Sequence, residues 1–157
     1  MTARRKSAKA STAEKLLREA ELRDLHLVSG SVQRPLTGPP SELHQSITIT
    51  PGRSKTEPDV MIKVGFLLAP KSDTGGGFRI HAEFALLYRF PSLKGITDRQ
   101  IEEFGRVDAV VAAWPYWREF IQSMLARIGL PQLKVQPLLR ADKLQFLPAR
   151  TKKPGAQ

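Results

Sequence analysis

The chain has 157 residues, no cysteine and a formal net charge of +10. This length fits one domain with tails, and the lack of cysteine excludes a disulfide framework, a thiolate metal site and a cysteine nucleophile. The longest uninterrupted apolar run, the six residues 109–114, is far shorter than the roughly 20 residues of a membrane helix. The basic start leads into serine, threonine and glutamate rather than an apolar segment, so we expect a soluble, cytoplasmic protein.

The positive charge is concentrated at the two ends of the chain. Seven basic residues occur there without an acid among the first ten and last eight residues: Arg4, Arg5, Lys6, Lys9, Arg150, Lys152 and Lys153. Removing these seven from the net charge of +10 leaves +3 for the remainder. We therefore predict a disordered basic arm over residues 1–11 and a disordered basic tail over 149–157, flanking one domain at 12–148.

The first part of the domain predicts a short helix, one strand and a long loop. Leu16, Leu17 and Ala20 share a face of a possible helix over 12–20. Leucines and valine over 22–28 indicate a strand that ends at Ser29-Gly30. The proline- and glycine-rich residues 30–41 are typical of a loop.

Three segments with alternating apolar residues follow, at 43–49, 60–68 and 78–90. Pro51-Gly52 opens a polar loop after the first, and 70–76 form a hairpin loop after the second. In the last two segments every second side chain is apolar, so these alternate side chains form one continuous apolar face. A sheet with one apolar face needs a single helical layer against it.

The longest helical pattern lies over 101–128. An apolar stripe recurs there with spacings of three and four: Val107, Val110, Trp114, Trp117, Ile121, Met124 and Ile128. Thr97 is the expected N-cap, Gly105 a possible break, and Gly129 the stop signal. Pro115 should kink this helix, or end and restart it.

The predicted fold class is therefore α+β, with a four-stranded antiparallel sheet covered on one face by a long C-terminal helix. Residues 140–147 could form one helical turn or a short strand. We interpret the tryptophan-bearing stripe first as core or subunit interface, and second as a surface for ligand contact.

No catalytic constellation is present in the sequence. His26, His44 and His81 fall on three different predicted strands and lack metal-ligand spacing. The glycines at 75–77 are not followed by lysine and serine or threonine, so they do not form a phosphate-binding loop. We predict that the protein is not an enzyme and uses no cofactor or metal.

Two motifs resemble the SecB family of protein-export chaperones. Pro115-Tyr116-x-Arg118-Glu119 is similar to the segment that opens the main part of the family's long helix. Pro131-x-Leu133 is similar to the Phe-Pro-x-Leu segment that ends it, with Leu130 in place of phenylalanine. The resemblance covers residues 20–140.

The resemblance implies a homo-oligomeric holdase, a dimer or a dimer of dimers, whose apolar grooves bind unfolded polypeptide without ATP. It implies that acids on the outer sheet face dock the translocation motor, and Asp24 and Glu83 are the matching positions. Val28 stands where the family has a further acid. Some SecB-like proteins instead guard the antitoxin of a toxin–antitoxin pair, which is the second role that the resemblance implies.

We therefore predict a chaperone whose client is a non-native polypeptide, either a preprotein or an antitoxin. The residues predicted to contact the client or a partner subunit lie on the long helix: Trp114, Tyr116, Trp117, Phe120, Ile121 and Met124. The alternative is a nucleic-acid-associated protein that uses its basic tails, whose binding would fall steeply with salt.

Overall fold

A computed structural model describes residues 14–34, 43–53, 58–70, 77–131 and 145–147. The strands are β1 (Glu21–Gln33), β2 (Leu43–Arg53), β3 (Asp59–Pro70), β4 (Arg79–Arg89) and β5 (Gln145–Leu147). The helices are α1 (14–18), α2 (Asp98–Phe104), a π-helical turn (Gly105–Ala109) and α3 (Val110–Arg127). The predicted arm at 1–11 and tail at 149–157 lie outside the described residues, as does the predicted loop beyond Arg34.

The strands form one five-stranded sheet in the order β1-β4-β3-β2-β5. The first four are antiparallel, whereas β5 pairs in parallel with Ser46–Thr48 of β2. The expected four-stranded antiparallel sheet is therefore wrong in strand number and in being purely antiparallel. A three-residue strand at an edge is specified by its tertiary contacts, so its own sequence carries little signal.

The two faces of the sheet differ as the alternation predicts. The helix-facing side is fully apolar over β3 and β4, with Phe66, Phe84 and Tyr88 among its buried residues. The opposite face carries polar and charged side chains, including Lys63 and Glu83, together with the half-buried Met61, Leu67 and Leu87, and no described helix covers it. Alternate side chains of a strand point to opposite faces, which explains this division.

Helix α2 begins where the sequence predicts. Thr97 is its N-cap and forms a capping box with Gln100, since each residue's side chain accepts a hydrogen bond from the other's backbone N–H. Asp98 in the first turn pairs with Nε of Arg53 at 2.8 Å, and Arg53 also donates to the Ile96 carbonyl. These contacts fix the end of β2 to the start of the helical layer.

The five residues Gly105–Ala109 form a π-helical turn between α2 and α3. A Cβ on Gly105 would lie 2.9 Å from Cγ2 of Ile49 and 3.3 Å from Cγ2 of Ile62, so the backbone there rests directly on the sheet. Because a π turn holds more than four residues, it rotates the following side chains out of helical phase. Val107, predicted on the buried stripe, is consequently 54% exposed.

Helix α3 runs without interruption through Pro115, so the predicted end and restart at this proline is wrong. The break in the α-helical pattern falls at Gly105, where the sequence predicted a possible break, and it takes the form of a π turn. The C-terminus is as predicted: Gly129 has a φ of 69°, and Leu130 N–H bonds the Leu125 carbonyl at 3.0 Å in a Schellman motif.

Three aromatic rings join α3 to the sheet. Phe66 of β3 stacks on Trp117 at 5.2 Å between centroids, and Trp117 stacks on Phe120 at 6.2 Å. The outer ring reaches β1, where a Cβ on Gly30 would lie 2.6 Å from Cζ of Phe120. The Trp117 indole N–H also donates to Oε1 of Gln45 in β2 at 2.7 Å. The stacked rings therefore connect α3 to β3 and β1, and the hydrogen bond of Trp117 connects the same helix to β2.

Within the described residues, no helix is both long and apolar enough to cross a membrane.

Candidate functional site

An exposed apolar surface lies between β1 and α3 on the helix-facing side of the sheet. Leu22, Leu25 and Leu27 of β1 pair with Tyr88, Leu86 and Phe84 of β4, whose side chains are buried. Residues directly opposite in a strand pair point to the same face. Leu22 and Leu27 nevertheless remain 41% and 47% exposed, because α3 does not cover β1 here.

The helix supplies the other wall of this surface. Tyr116 is 51% exposed, and its ring lies 6.4 Å from that of Phe84 at the floor. One turn later Phe120 closes onto Gly30, so the opening ends where the helix meets β1. We name the surface formed by Leu22, Leu25, Leu27 and Tyr116 the β1 flank.

Two β-bulges shape β1. The register shifts between Leu22 and Asp24, and again between Leu27 and Ser29, so Arg23 and Val28 are extra residues relative to β4. The first bulge explains how Leu22 and Leu25, three residues apart, share a face. The outer edge of the 13-residue strand has no partner among the described strands, since β1 is the first strand of the sheet. The β1 flank is therefore continuous with an open backbone edge.

One acidic group lies near the β1 flank. Burial, and secondarily the charge of Asp108, raises the pKa of the Tyr88 phenol to about 12. Partial burial also raises the pKa of the Asp108 carboxyl, which a backbone hydrogen bond partly offsets. Asp108 belongs to the π turn and is itself exposed.

The residues predicted to contact a client or partner fall into two groups. Trp114, Trp117 and Ile121 lie in the core of the single chain and pack against the sheet. Phe120 and Met124 are half-buried, and Tyr116 is exposed. The structure therefore brings only Tyr116, with the edge of Phe120, to the open surface.

Sequence reasoning missed Leu22 and Leu27 as exposed apolar residues of the β1 flank. The sequence does contain a sign of their position. Leu22, Leu25 and Leu27 are spaced by three residues and then by two, and a β-bulge produces such irregular apolar spacing within a strand.

Asp24 and Glu83, predicted to dock a motor, lie on the sheet face away from the helices. Each has a basic neighbour: Oδ2 of Asp24 lies 3.0 Å from Nδ1 of His26, and Oε1 of Glu83 lies 3.9 Å from Nζ of Lys63. On the same face, burial lowers the pKa of His81, an effect that Glu83 opposes and Arg79 reinforces. Each of the two acids therefore already has a side-chain neighbour within the chain.

Over the described part of the chain, no three histidine or acidic side chains gather in a way that could hold a metal ion. The β1 flank presents apolar side chains beside an open backbone edge.

No protein-family model matches the sequence, and no curated protein matches it. Among solved structures, the chain is similar to the SecB-like chaperone Rv1957 of Mycobacterium tuberculosis, solved in complex with a ChAD peptide from the antitoxin HigA1. The TM-score is 0.67 at 18% identity, covering 84% of this chain and 96% of that one. A Streptococcus agalactiae protein of unknown function matches at a TM-score of 0.39 and 8% identity, which supports no further argument. The chain therefore has the fold of a SecB-like chaperone.

Proposed function

We propose that this protein is an ATP-independent chaperone that holds non-native polypeptide against the β1 flank. The observation that carries the proposal is the exposure of Leu22, Leu27 and Tyr116 above a floor of buried aromatic residues, on a fold shared with a SecB-like chaperone. Contiguous exposed apolar side chains on a soluble domain are typical of interaction sites. Apolar contacts without strict polar complementarity suit clients of varied sequence.

A polypeptide client is compatible with two roles, that of a dedicated antitoxin chaperone and that of a general export chaperone. The structural neighbour is bound to an antitoxin peptide, which supports a dedicated antitoxin chaperone over a general one. An export role needs in addition a docking surface for the motor, and Asp24 and Glu83 are the residues predicted for it. Because both acids have basic partners in the chain, we favour the antitoxin role.

Self-association is the second property that we propose. β1 offers a long strand edge beside the exposed Val28, and such an edge is stabilised when another chain covers it. A second copy pairing at this edge would give the homodimer that the sequence resemblance implies. Static light scattering of the purified chain would measure the mass; a monomer at micromolar concentration would contradict this part of the proposal.

The nucleic-acid alternative depends on the basic tails, which lie outside the described residues. Within the described residues, basic side chains are commonly paired with acids: Arg23 with Glu21, Arg53 with Asp98, Lys63 with Glu83, Arg89 with Asp59, Arg99 with Glu103 and Arg106 with Glu102. This distribution does not favour a basic binding face on the sheet or helices.

The chaperone proposal is tested by aggregation of a chemically denatured client, followed by light scattering after dilution without ATP. We expect the wild type to suppress aggregation at a few-fold excess, and Leu27→Ser and Tyr116→Ser to weaken suppression severalfold. Val111→Ser is the matched control, since Val111 is as exposed as Tyr116 but belongs to the other side of α3. No suppression by the wild type, or equal loss in the control, would refute the assignment of the site.

A further inference from the structure

The opposite edge of the sheet already carries an added strand. β5 consists of Gln145–Leu147 and pairs in parallel with Ser46, Ile47 and Thr48. These three pairs cover only the middle of β2, which runs from Leu43 to Arg53. On either side, the outer edge of β2 has no strand partner among the described residues. A three-residue parallel ladder supplies few hydrogen bonds, so β5 depends on its side chains to stay in place.

Phe146 is the side chain that anchors β5. It lies opposite Ile47, on the helix-facing side, and is half-buried against the core. The guanidinium carbon of Arg106 lies 5.2 Å above the centre of its ring, a cation–π contact. Nη2 of Arg106 donates a hydrogen bond of 2.8 Å to Oε1 of Glu102, which holds the guanidinium in this position. Leu147, its neighbour on the opposite face, is exposed and makes no comparable contact within the described residues.

We propose that the outer edge of β2 is a second binding site for extended polypeptide, that its aromatic subsite lies beneath Arg106, and that β5 is a resident competitor which an incoming segment displaces. Because β5 occupies this edge, its own features define the expected ligand. That ligand is an extended segment, parallel to β2, with one aromatic side chain in the position of Phe146. Main-chain pairing provides affinity and the aromatic subsite provides selectivity, as in other cases of strand addition. This inference rests on the proposed function and adds a subsite and a self-competition to it.

The test uses the full chain and a fluorescein-labelled peptide of residues 141–150, with binding followed by anisotropy. If β5 occupies the edge in about nine molecules of ten, freeing the edge strengthens external binding about tenfold. We therefore expect Phe146→Ser to bind the peptide about tenfold more tightly than the wild type. Leu147→Ser, one residue away and on the other face, should bind like the wild type. A peptide with serine in the position of Phe146 should bind neither protein.

A second pair of variants locates the subsite. In the Phe146→Ser background, Arg106→Gln should weaken peptide binding severalfold, because it removes the cation above the aromatic ring. Arg99→Gln removes an exposed arginine that pairs with Glu103 about two turns earlier on the helical surface, and should have no effect. Hydrogen exchange at Ser46–Thr48 should be faster in Phe146→Ser and slow again when peptide is added. If Phe146→Ser does not fold, Phe146→Leu serves in its place, since it keeps an apolar side chain but loses the ring.

Equal peptide affinity in the wild type and the Phe146 variant would overturn the inference, as would an Arg106→Gln variant that binds normally. If the wild type suppresses client aggregation but neither protein binds the peptide, the second site is refuted and the β1 flank proposal stands. If no form of the chain binds any unfolded polypeptide, both proposals fail together, and the aggregation assay identifies that case.

Discussion

The hydrogen bond between Trp117 and Gln45 allows a sharp test of how the helix is held on the sheet. Trp117 is 0% exposed, and its indole N–H donates to Oε1 of Gln45 at 2.7 Å. Gln45→Met keeps the side-chain length but removes the acceptor, leaving the buried N–H without a partner or access to solvent. An unsatisfied buried donor costs about 1–3 kcal/mol. Since 1 kcal/mol shifts the Tm of a domain of this size by about 2–4 °C, we expect a fall of about 2–12 °C.

Thermal and urea unfolding of the purified chain, followed by circular dichroism, would measure the loss. Gln122→Met is the control, since Gln122 lies on the exposed side of α3 and should change the free energy of unfolding by less than about 0.5 kcal/mol. In a Trp117→Phe background the donor is absent, so Gln45→Met should then cost little, giving a coupling energy of about 0.5–3 kcal/mol. An equal loss in both backgrounds would refute the reasoning.

Three further predictions concern other positions. Gly105→Ala should lower the free energy of unfolding by about 1–3 kcal/mol because its Cβ meets Cγ2 of Ile49 at 2.9 Å. Gly52→Ala should cost less in the same denaturation assay, because its Cβ makes only an ordinary contact of 3.7 Å with the Met61 carbonyl oxygen. The pKa of His81 is lowered in the folded state, so the unfolded chain binds more protons than the folded chain in acid. The free energy of unfolding therefore falls as the pH drops below about 6.5. His81→Gln should flatten the pH dependence of the Tm. The pKa of Asp108 is raised in the folded state, so the folded chain binds more protons than the unfolded chain and the free energy of unfolding falls as the pH rises above about 4. Asp108→Asn should therefore raise the Tm at pH 7 but not at pH 3.

Periodic segments and caps were predictable because local chemistry determines them. The alternation in β3 and β4 defines their apolar face, and the Thr97–Gln100 capping box and the positive φ of Gly129 define where the helical layer starts and stops. These features depend on neighbours within a few residues, which a sequence displays directly.

Features that depend on distant contacts were not predictable in the same way. β5 is a strand only because β2 offers it an edge, and the bulges of β1 follow from its register against β4. The π turn follows from the fit of Gly105 against the sheet. Tyr116 was among the predicted site residues, but the leucines opposite it were read as an ordinary strand, because their exposure results from where α3 stops covering β1.

The π turn also affects how this chain is compared with others. A regular α-helix accommodates the same path with one residue fewer, so deleting one residue between Gly105 and Ala109 would leave the buried faces of α2 and α3 unchanged. An alignment that places no gap here pairs every residue on one side of the turn with the wrong position in a straight-helix homologue. We expect relatives with a straight helix to lack one residue at this point, and their sequences to match this one better once that gap is allowed.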